Sequence, residues 1–189
     1  MKIKFDVRKH IVKNIVLYIA GILIIPTITC YAIHAKNLAK DYEKFSVVSG
    51  VEITKENNLR TVIEKDETIL ESSIFARKYD EQFYTYMESR LINADIIILP
   101  NIDEAISETM MTSFVEIKND DFVYDDSNYQ VNNKHYGIKL NNYSNLDSQF
   151  DFNNNECYMF IKKSSVHIKH WNNEAKTDLV FNVIKEYLS

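Results

Sequence analysis

The longest apolar stretch of the chain runs from Asn14 to Ala35 and contains no Asp, Glu, Lys or Arg, with a lysine on each side. A helix of these 22 residues is about 33 Å long at ~1.5 Å per residue, which is enough to cross a hydrocarbon core of about 30 Å. Pro26 lies inside the stretch, and membrane helices tolerate proline. The pattern therefore predicts one transmembrane helix over these residues.

After residue 43, short β-branched runs alternate with segments of helical periodicity, which is typical of an α/β domain. The predicted strands cover residues 45–53, 67–73, 94–101, 114–117, 129–131, 134–140 and part of 157–168. The predicted helices cover residues 55–65, 74–93, a segment that follows residue 101, and 173–188. We expect one three-layer domain over residues 44–189, with helices covering a mixed, mainly parallel sheet.

The clearest strand signal is a run of four large apolar residues, Ile96–Leu99, bounded by Asp95 and Pro100. A strand without polar alternation is typically buried on both faces, as in the centre of a parallel sheet. Asn101 follows, and it is placed to cap the next helix together with Glu104, three residues further on.

Two adjacent asparagines, Asn132 and Asn133, separate two of the predicted strands. Because Asn tolerates the positive φ that a tight turn requires, we predict a β-hairpin here. The Asn-rich segment 141–156 is interrupted by aromatic and apolar residues, and we interpret it as a long polar loop.

The charge distribution predicts the topology. Residues 1–13 carry five basic side chains and one acidic one, a net charge of +4, whereas residues 36–189 carry 17 basic and 26 acidic side chains, a net charge of −9. Since basic residues beside a span stay on the cytoplasmic side, we predict a cytoplasmic tail over 1–13, a linker over 36–43 and an extracytoplasmic domain. A cleaved signal peptide is the alternative, although the apolar stretch exceeds the ~7–15 residues of a secretory peptide.

The composition excludes several classes of function. Cys30 lies in the predicted span and Cys157 in the outer domain, so no disulfide framework is expected. Loops that cradle phosphates need clustered glycines, and the outer domain contains only Gly50 and Gly137. Its negative charge disfavours nucleic acid. We therefore expect no nucleotide or other cofactor and no nucleic-acid partner.

Motifs for catalysis and metal binding are weak. His167 and His170 are three residues apart, so on a strand they point to opposite faces. Ser164 and Ser165 precede His167 but lack the G-x-S-x-G context of a nucleophile elbow. The acidic segment 119–128 lacks the spacing of a calcium loop. We assign no catalytic residue and no metal ligand.

Two segments, ADIIILP at 94–100 and YQVNNKHYGIKL at 129–140, resemble the first lobe of a bacterial extracytoplasmic solute-binding protein of the ABC-transporter type. In that family the buried strand ends at the ligand cleft, and the hairpin leads towards the second lobe. Lys139 stands where the family has a proline. The resemblance implies a single lobe, since family members are about twice this length, and it implies a permease or a solute receptor as partner.

The resemblance and the general rule for open α/β sheets place a candidate site beyond the carboxyl end of the buried strand. Asn101 and Asp103 lie at that end in the sequence. Tyr136 and Gly137 are added by the resemblance alone, and Tyr129 is added as a neighbouring aromatic side chain. The alternative is that this edge of the sheet is an ordinary loop surface.

These observations favour a non-enzymatic, membrane-anchored binding or accessory module that is associated with an ABC transporter. The alternative is a membrane-tethered sensor or ligand-binding domain that takes a small solute itself. A cell-surface hydrolase is the less favoured third reading.

The topology is tested with protease. Protease added to intact cells should remove the domain, because residues 36–189 are predicted to lie outside the membrane. Survival of the domain in intact cells, with cleavage in inverted vesicles, would show that the orientation is reversed.

Overall fold

The computed structural model describes residues 14–15, 24–28, 41–54, 56–100, 112–118, 128–168 and 178–189. The chain divides into two compact units, Met1–Ala39 and Lys40–Ser189. In the first unit, residues 14–15 and 24–28 are helical. No helix within the described residues has the length and apolar character needed to cross a membrane. Most of the predicted span, 14–35, lies outside the described residues.

The described part of the second unit contains a six-stranded sheet. Its strands are β1 (Lys44–Ser49), β2 (Glu71–Ala76), β3 (Ile96–Pro100), β4 (Tyr129–Val131), β5 (Lys134–Lys139) and β6 (Cys157–Ile161). They are arranged in the order β2-β1-β3-β6-β5-β4. β1 pairs in parallel with β2 and β3, whereas β6 is antiparallel to β3 and β5, and β5 is antiparallel to β4.

The α/β class and the mixed sheet are therefore confirmed. The expectation of a mainly parallel sheet holds only for the three strands at one end. The tight hairpin between β4 and β5 explains why that pair is antiparallel.

β3 is the central strand, and all five of its residues are buried, as predicted. Ile96 and Ile98 belong to one apolar core, and Ile97 and Leu99 belong to a second core. Because successive side chains of a strand point to opposite faces, β3 contributes to both sides of the sheet. This double burial explains the continuous apolar run in the sequence.

Helices cover both faces. α1 (Glu56–Ile63) and α3 (Leu179–Leu188) pack against each other, and their buried residues belong to the first core. α2 (Phe83–Ile92) buries Phe83 and Met87 in the second core. The chain thus passes from β1 through α1 on one face to β2, and then through α2 on the other face to β3.

The predicted helix over 74–93 is wrong in its first part. Ile74–Ala76 form the end of β2, with Ile74 paired to Val47 and Phe75 paired to Val48. The aromatic residues do recur at helical spacing, but pairing with β1 overrides that local signal. The neighbouring strand, predicted over 67–73, begins only at Glu71.

The hairpin prediction is confirmed. Asn132 and Asn133 have φ values of 52° and 62°, and they join β4 to β5. The strand predicted over 114–117 is reduced to two isolated bridges, at Phe114 and Ile117. The helix expected after Asn101, most of the acidic segment 119–128 and residues 173–177 of the last predicted helix lie outside the described residues.

Ile97→Asp should abolish folding. Ile97 is 2% exposed, and an aspartate there would be buried without a partner between the sheet and α2. We expect a loss of more than about 4 kcal/mol, measured as loss of the cooperative thermal transition of the full chain in mild detergent.

Ile92→Asp is the matched control, because Ile92 is 62% exposed and should accept the same change with little effect. An unchanged melting curve for Ile97→Asp would contradict the assignment of β3 as the central strand.

Candidate functional site

A cleft of about 310 Å³ lies where the three parallel strands end, and we call it the carboxyl-end cleft. Its walls come from the residues after β1, the residues after β2, the last residue of β3 and the loop before β6. The lining residues are Gly50, Val51, Glu52, Lys78, Tyr79, Pro100, Asp151, Phe152, Asn153 and Asn155.

The order of the strands explains the position of this cleft. β1 connects to β2 on one side, and the chain then returns to β3 on the other side of β1. The covering helices change face at the same point. Such a switch of direction opens a crevice beyond the carboxyl ends of the two central strands, and open α/β sheets bind ligands there.

Gly50 allows the strand ends to converge. Its N–H donates to the carbonyl of Ile98 at 2.7 Å, and its own carbonyl accepts from the N–H of Tyr79 at 2.8 Å. A Cβ atom at position 50 would lie 3.1 Å from Cδ of Pro100 and 3.2 Å from Cβ of Tyr79. Gly50 is therefore favoured by the close approach of its neighbours rather than by an unusual backbone conformation.

The loop before β6 forms the opposite wall. Asn153 and Asn154 have φ values of 48° and 62°, and the turn is closed by a bond of 2.7 Å from the N–H of Asn155 to the carbonyl of Phe152. The N–H of Asp151 donates to the carbonyl of Glu52 at 3.0 Å, which ties this loop to the end of β1. In the Asn-rich loop, the chain therefore turns at two asparagines whose backbones adopt the left-handed conformation.

Charged side chains of both signs line the carboxyl-end cleft. Glu52, Lys78 and Asp151 are exposed, and none of them forms an ion pair with another described residue. Tyr79 and Phe152 provide aromatic surface, while Asn153 and Asn155 provide amides. This set of groups suits a small polar ligand. No described residue that lines the cleft is a serine, cysteine or histidine.

The predicted site residues are only partly brought together. Pro100 lines the cleft as expected, whereas Asn101 and Asp103 lie outside the described residues. Tyr136 and Gly137 lie elsewhere, because Gly137 pairs with Phe160, which pairs with Ile97 near the beginning of β3.

Tyr129 and Gly137 serve an aromatic cluster instead. The ring of Tyr129 packs against the rings of Tyr158 and Phe160 at centroid distances of 5.5 and 5.8 Å. A Cβ atom at Gly137 would lie 2.7 Å from Cε1 of Phe160. Tyr136 is half-buried against the same cluster. The glycine is therefore explained by the packing of the Phe160 ring.

The sequence prediction missed Glu52, Lys78, Tyr79 and Asp151. Lys78 and Tyr79 were hidden by the helix predicted over 74–93. Their position in the sequence could have identified two of them, because Glu52 and Lys78 each follow a parallel strand by two or three residues.

A second cleft, of about 460 Å³, lies at the beginning of β1 and β3, and we call it the amino-end cleft. Asp95 forms part of its wall and is 4% exposed. The carboxylate accepts a hydrogen bond from the hydroxyl of Ser165 and one of 2.8 Å from the N–H of Ser46. Burial raises the pKa of Asp95, while the nearby His167 and these two hydrogen bonds act in the opposite direction.

Ser165 and His167 are not arranged as nucleophile and base. The Ser165 hydroxyl donates to Asp95, and only the backbone N–H of His167 reaches its oxygen, at 3.1 Å. The Nε2 atom of the imidazole lies 2.6 Å from the carbonyl oxygen of Lys44, which can only accept, so Nε2 is the donor in this bond. These contacts join the loop after β6 to the beginnings of β1 and β3. Within the described residues, no cluster of three potential metal ligands is present.

Comparisons with protein-family models, with curated proteins and with solved structures found no match to this chain. The resemblance to a lobe of a solute-binding protein therefore stays a prediction.

Ser165→Ala should destabilise the domain by about 1–3 kcal/mol, because the buried Asp95 carboxylate loses one of its two donors. The hydroxyl stabilises the ionised carboxylate, so the loss should grow as the pH rises through the pKa of Asp95. Denaturant melting at several pH values measures both effects.

Ser164→Ala is the matched control, since its side chain is exposed and forms no hydrogen bond with another described residue. Equal stability of the two variants at every pH would contradict a structural role for the Asp95–Ser165 bond.

Proposed function

We propose that this protein is a membrane-anchored, non-enzymatic binding module whose carboxyl-end cleft takes a small polar solute. The observation that carries the proposal is the convergence of three strand ends on one cleft at a switch of strand direction. That position is the usual ligand site of open α/β sheets. The cleft volume, about 310 Å³, is at the lower end of the range for small-molecule sites.

The charges of the cleft support a solute that carries both a cationic and an anionic group. Lys78 supplies an ammonium group, and Glu52 and Asp151 supply carboxylates, with no ion pair to another described residue to occupy them. Charge-assisted hydrogen bonds are about twice as strong as neutral ones, so these groups provide affinity and orientation together. The aromatic faces of Tyr79 and Phe152 complete the walls.

A non-enzymatic role is supported by the contacts of the candidate nucleophile. The Ser165 hydroxyl donates to Asp95, and only the backbone N–H of His167 reaches the hydroxyl oxygen. Nucleophilic catalysis needs the hydroxyl of the nucleophile within hydrogen-bond reach of the nitrogen of the base that accepts its proton. Ser165 and His167 lack that arrangement, so this pair gives the hydrolase hypothesis no support.

The membrane anchor and the outside location are proposed from the sequence. The uncharged residues 14–35 and the net charge of +4 on residues 1–13 support an anchor with its amino terminus in the cytoplasm. The link to an ABC permease or solute receptor rests on the sequence resemblance alone. We propose it as the setting in which a captured solute would be used.

The proposal is tested by the double variant Lys78→Gln with Asp151→Asn. Full-length protein in mild detergent is titrated with each of the twenty free amino acids, which are small zwitterions, and binding is followed by thermal shift and calorimetry. We expect the wild type to bind at least one of them, and the double variant to bind it at least tenfold more weakly, since each lost charged contact is worth about 1.5–3 kcal/mol.

The matched control is Lys185→Gln with Asp147→Asn, which changes one exposed lysine and one exposed aspartate outside the cleft. This control should bind like the wild type. If no amino acid binds the wild type, or if both double variants lose affinity equally, the proposed site is wrong.

A further inference from the structure

Two arginines in the described part of the chain lie over aromatic rings, and they differ in their ion pairs. Arg77 lies over the ring of Tyr86 at 4.1 Å and also pairs with the carboxylate of Asp80 at 3.5 Å. Arg90 lies over the ring of Phe75 at 3.9 Å and has no carboxylate partner among the described residues. Arg90 lines the amino-end cleft, whereas Arg77 lines neither cleft.

Stacking leaves the donors of Arg90 available. The Cζ atom of Arg90 lies 3.9 Å from the centroid of the Phe75 ring, and this contact uses the ring face rather than a hydrogen-bond acceptor, so the five N–H donors of the guanidinium are left for other partners. An arginine held in this way is oriented for two parallel hydrogen bonds to a carboxylate or a phosphate. The fixed orientation reduces the entropy that binding would otherwise cost.

Other groups of the amino-end cleft are also available. Lys44, a second cation, lines the same cleft and forms no ion pair with another described residue. Ser73, Ser89 and Ser164 line it as well, and their hydroxyls form no hydrogen bond with any other described residue. Hydroxyls donate readily to anionic oxygens, so the wall presents two cations and three neutral donors.

The acidic groups that line this cleft do not pair with those two cations or with those three hydroxyl groups. Asp95 already receives hydrogen bonds from Ser165 and Ser46, and burial favours its neutral form. Asp41 also lines the cleft, but it is exposed and forms no ion pair with another described residue. Among the described residues, the cleft therefore presents two cations without an ion pair and one such carboxylate.

We propose that the amino-end cleft is a binding site for a small oxyanion, a carboxylate or a phosphate group, which is held by Arg90 with Lys44 as the second cation. It is separate from the carboxyl-end cleft, because it lies at the opposite end of the parallel strands. Its volume of about 460 Å³ admits an anion that is part of a larger small molecule.

The test uses inorganic phosphate and acetate as probes of the two anion types. Full-length protein in mild detergent is titrated with each probe, with sodium chloride keeping the ionic strength constant, and binding is followed by thermal shift and by calorimetry. We expect at least one probe to raise the melting temperature of the wild type in a saturable way. Arg90→Gln should weaken that binding at least tenfold and leave melting in chloride alone nearly unchanged, since Arg90 is exposed.

Arg77→Gln is the matched control, because it removes a stacked arginine that already has a carboxylate partner. It should bind the probe like the wild type, and so should the Lys78→Gln with Asp151→Asn variant of the other cleft. Lys44→Gln should give an intermediate loss. Response to acetate alone identifies a carboxylate ligand, and response to phosphate alone identifies a phosphate ligand.

Absence of a saturable response to both probes would overturn the proposal. An equal loss in Arg77→Gln and Arg90→Gln would also overturn it, since the effect would then come from net charge. A loss in the Lys78→Gln with Asp151→Asn variant alone would place the anion in the carboxyl-end cleft, and that result would count against this site.

Discussion

The burial of β3 on both faces is the constraint on which the rest of this domain depends. Five consecutive apolar residues can leave water only if both faces of the sheet are covered, and a single layer of helices would leave half of them exposed. α1 and α3 supply one cover, and α2 supplies the other. To place helices on opposite faces, the chain moves across the sheet from β1 to β2 and then back past β1 to β3. The same requirement creates the carboxyl-end cleft.

Asp95, just before β3, is a buried carboxylate whose hydrogen bonds come from other parts of the chain. A buried carboxylate without donors would cost several kcal/mol, so the residues that satisfy it must come from other parts of the chain. Ser46 belongs to β1, and Ser165 follows β6. The imidazole of His167, stacked on Phe45, reaches the carbonyl of Lys44 from the same loop. The polar contacts therefore join the two neighbours of β3 at one end of the sheet.

The sequence predicted the elements that depend on a local pattern of residues. It did not predict the features that depend on contacts between residues far apart in the chain. The strand at Ile96–Leu99 was predicted correctly, because burial on two faces requires apolar residues at every position. The turn at Asn132–Asn133 was predicted correctly, because positive φ favours asparagine. Phe75 was misplaced, because its helical spacing carried no information about pairing with Val48. Lys78 and Asp151 face the same cleft from segments more than 70 residues apart, and only the order of the strands brings them together.

The strand order also affects how quickly the domain can fold. β3 pairs with β1, where Val47 meets Ile96 across 49 positions, and with β6, where Ile96 meets Ile161 across 65 positions. Both neighbours of the central strand are thus distant in sequence, and closing such long loops costs entropy before any strand contact repays it. The hairpin β4–β5 is local and can form early. The slow step of folding should be the insertion of β3 between β1 and β6, which would leave its isoleucines open to aggregation until β6 has been synthesised.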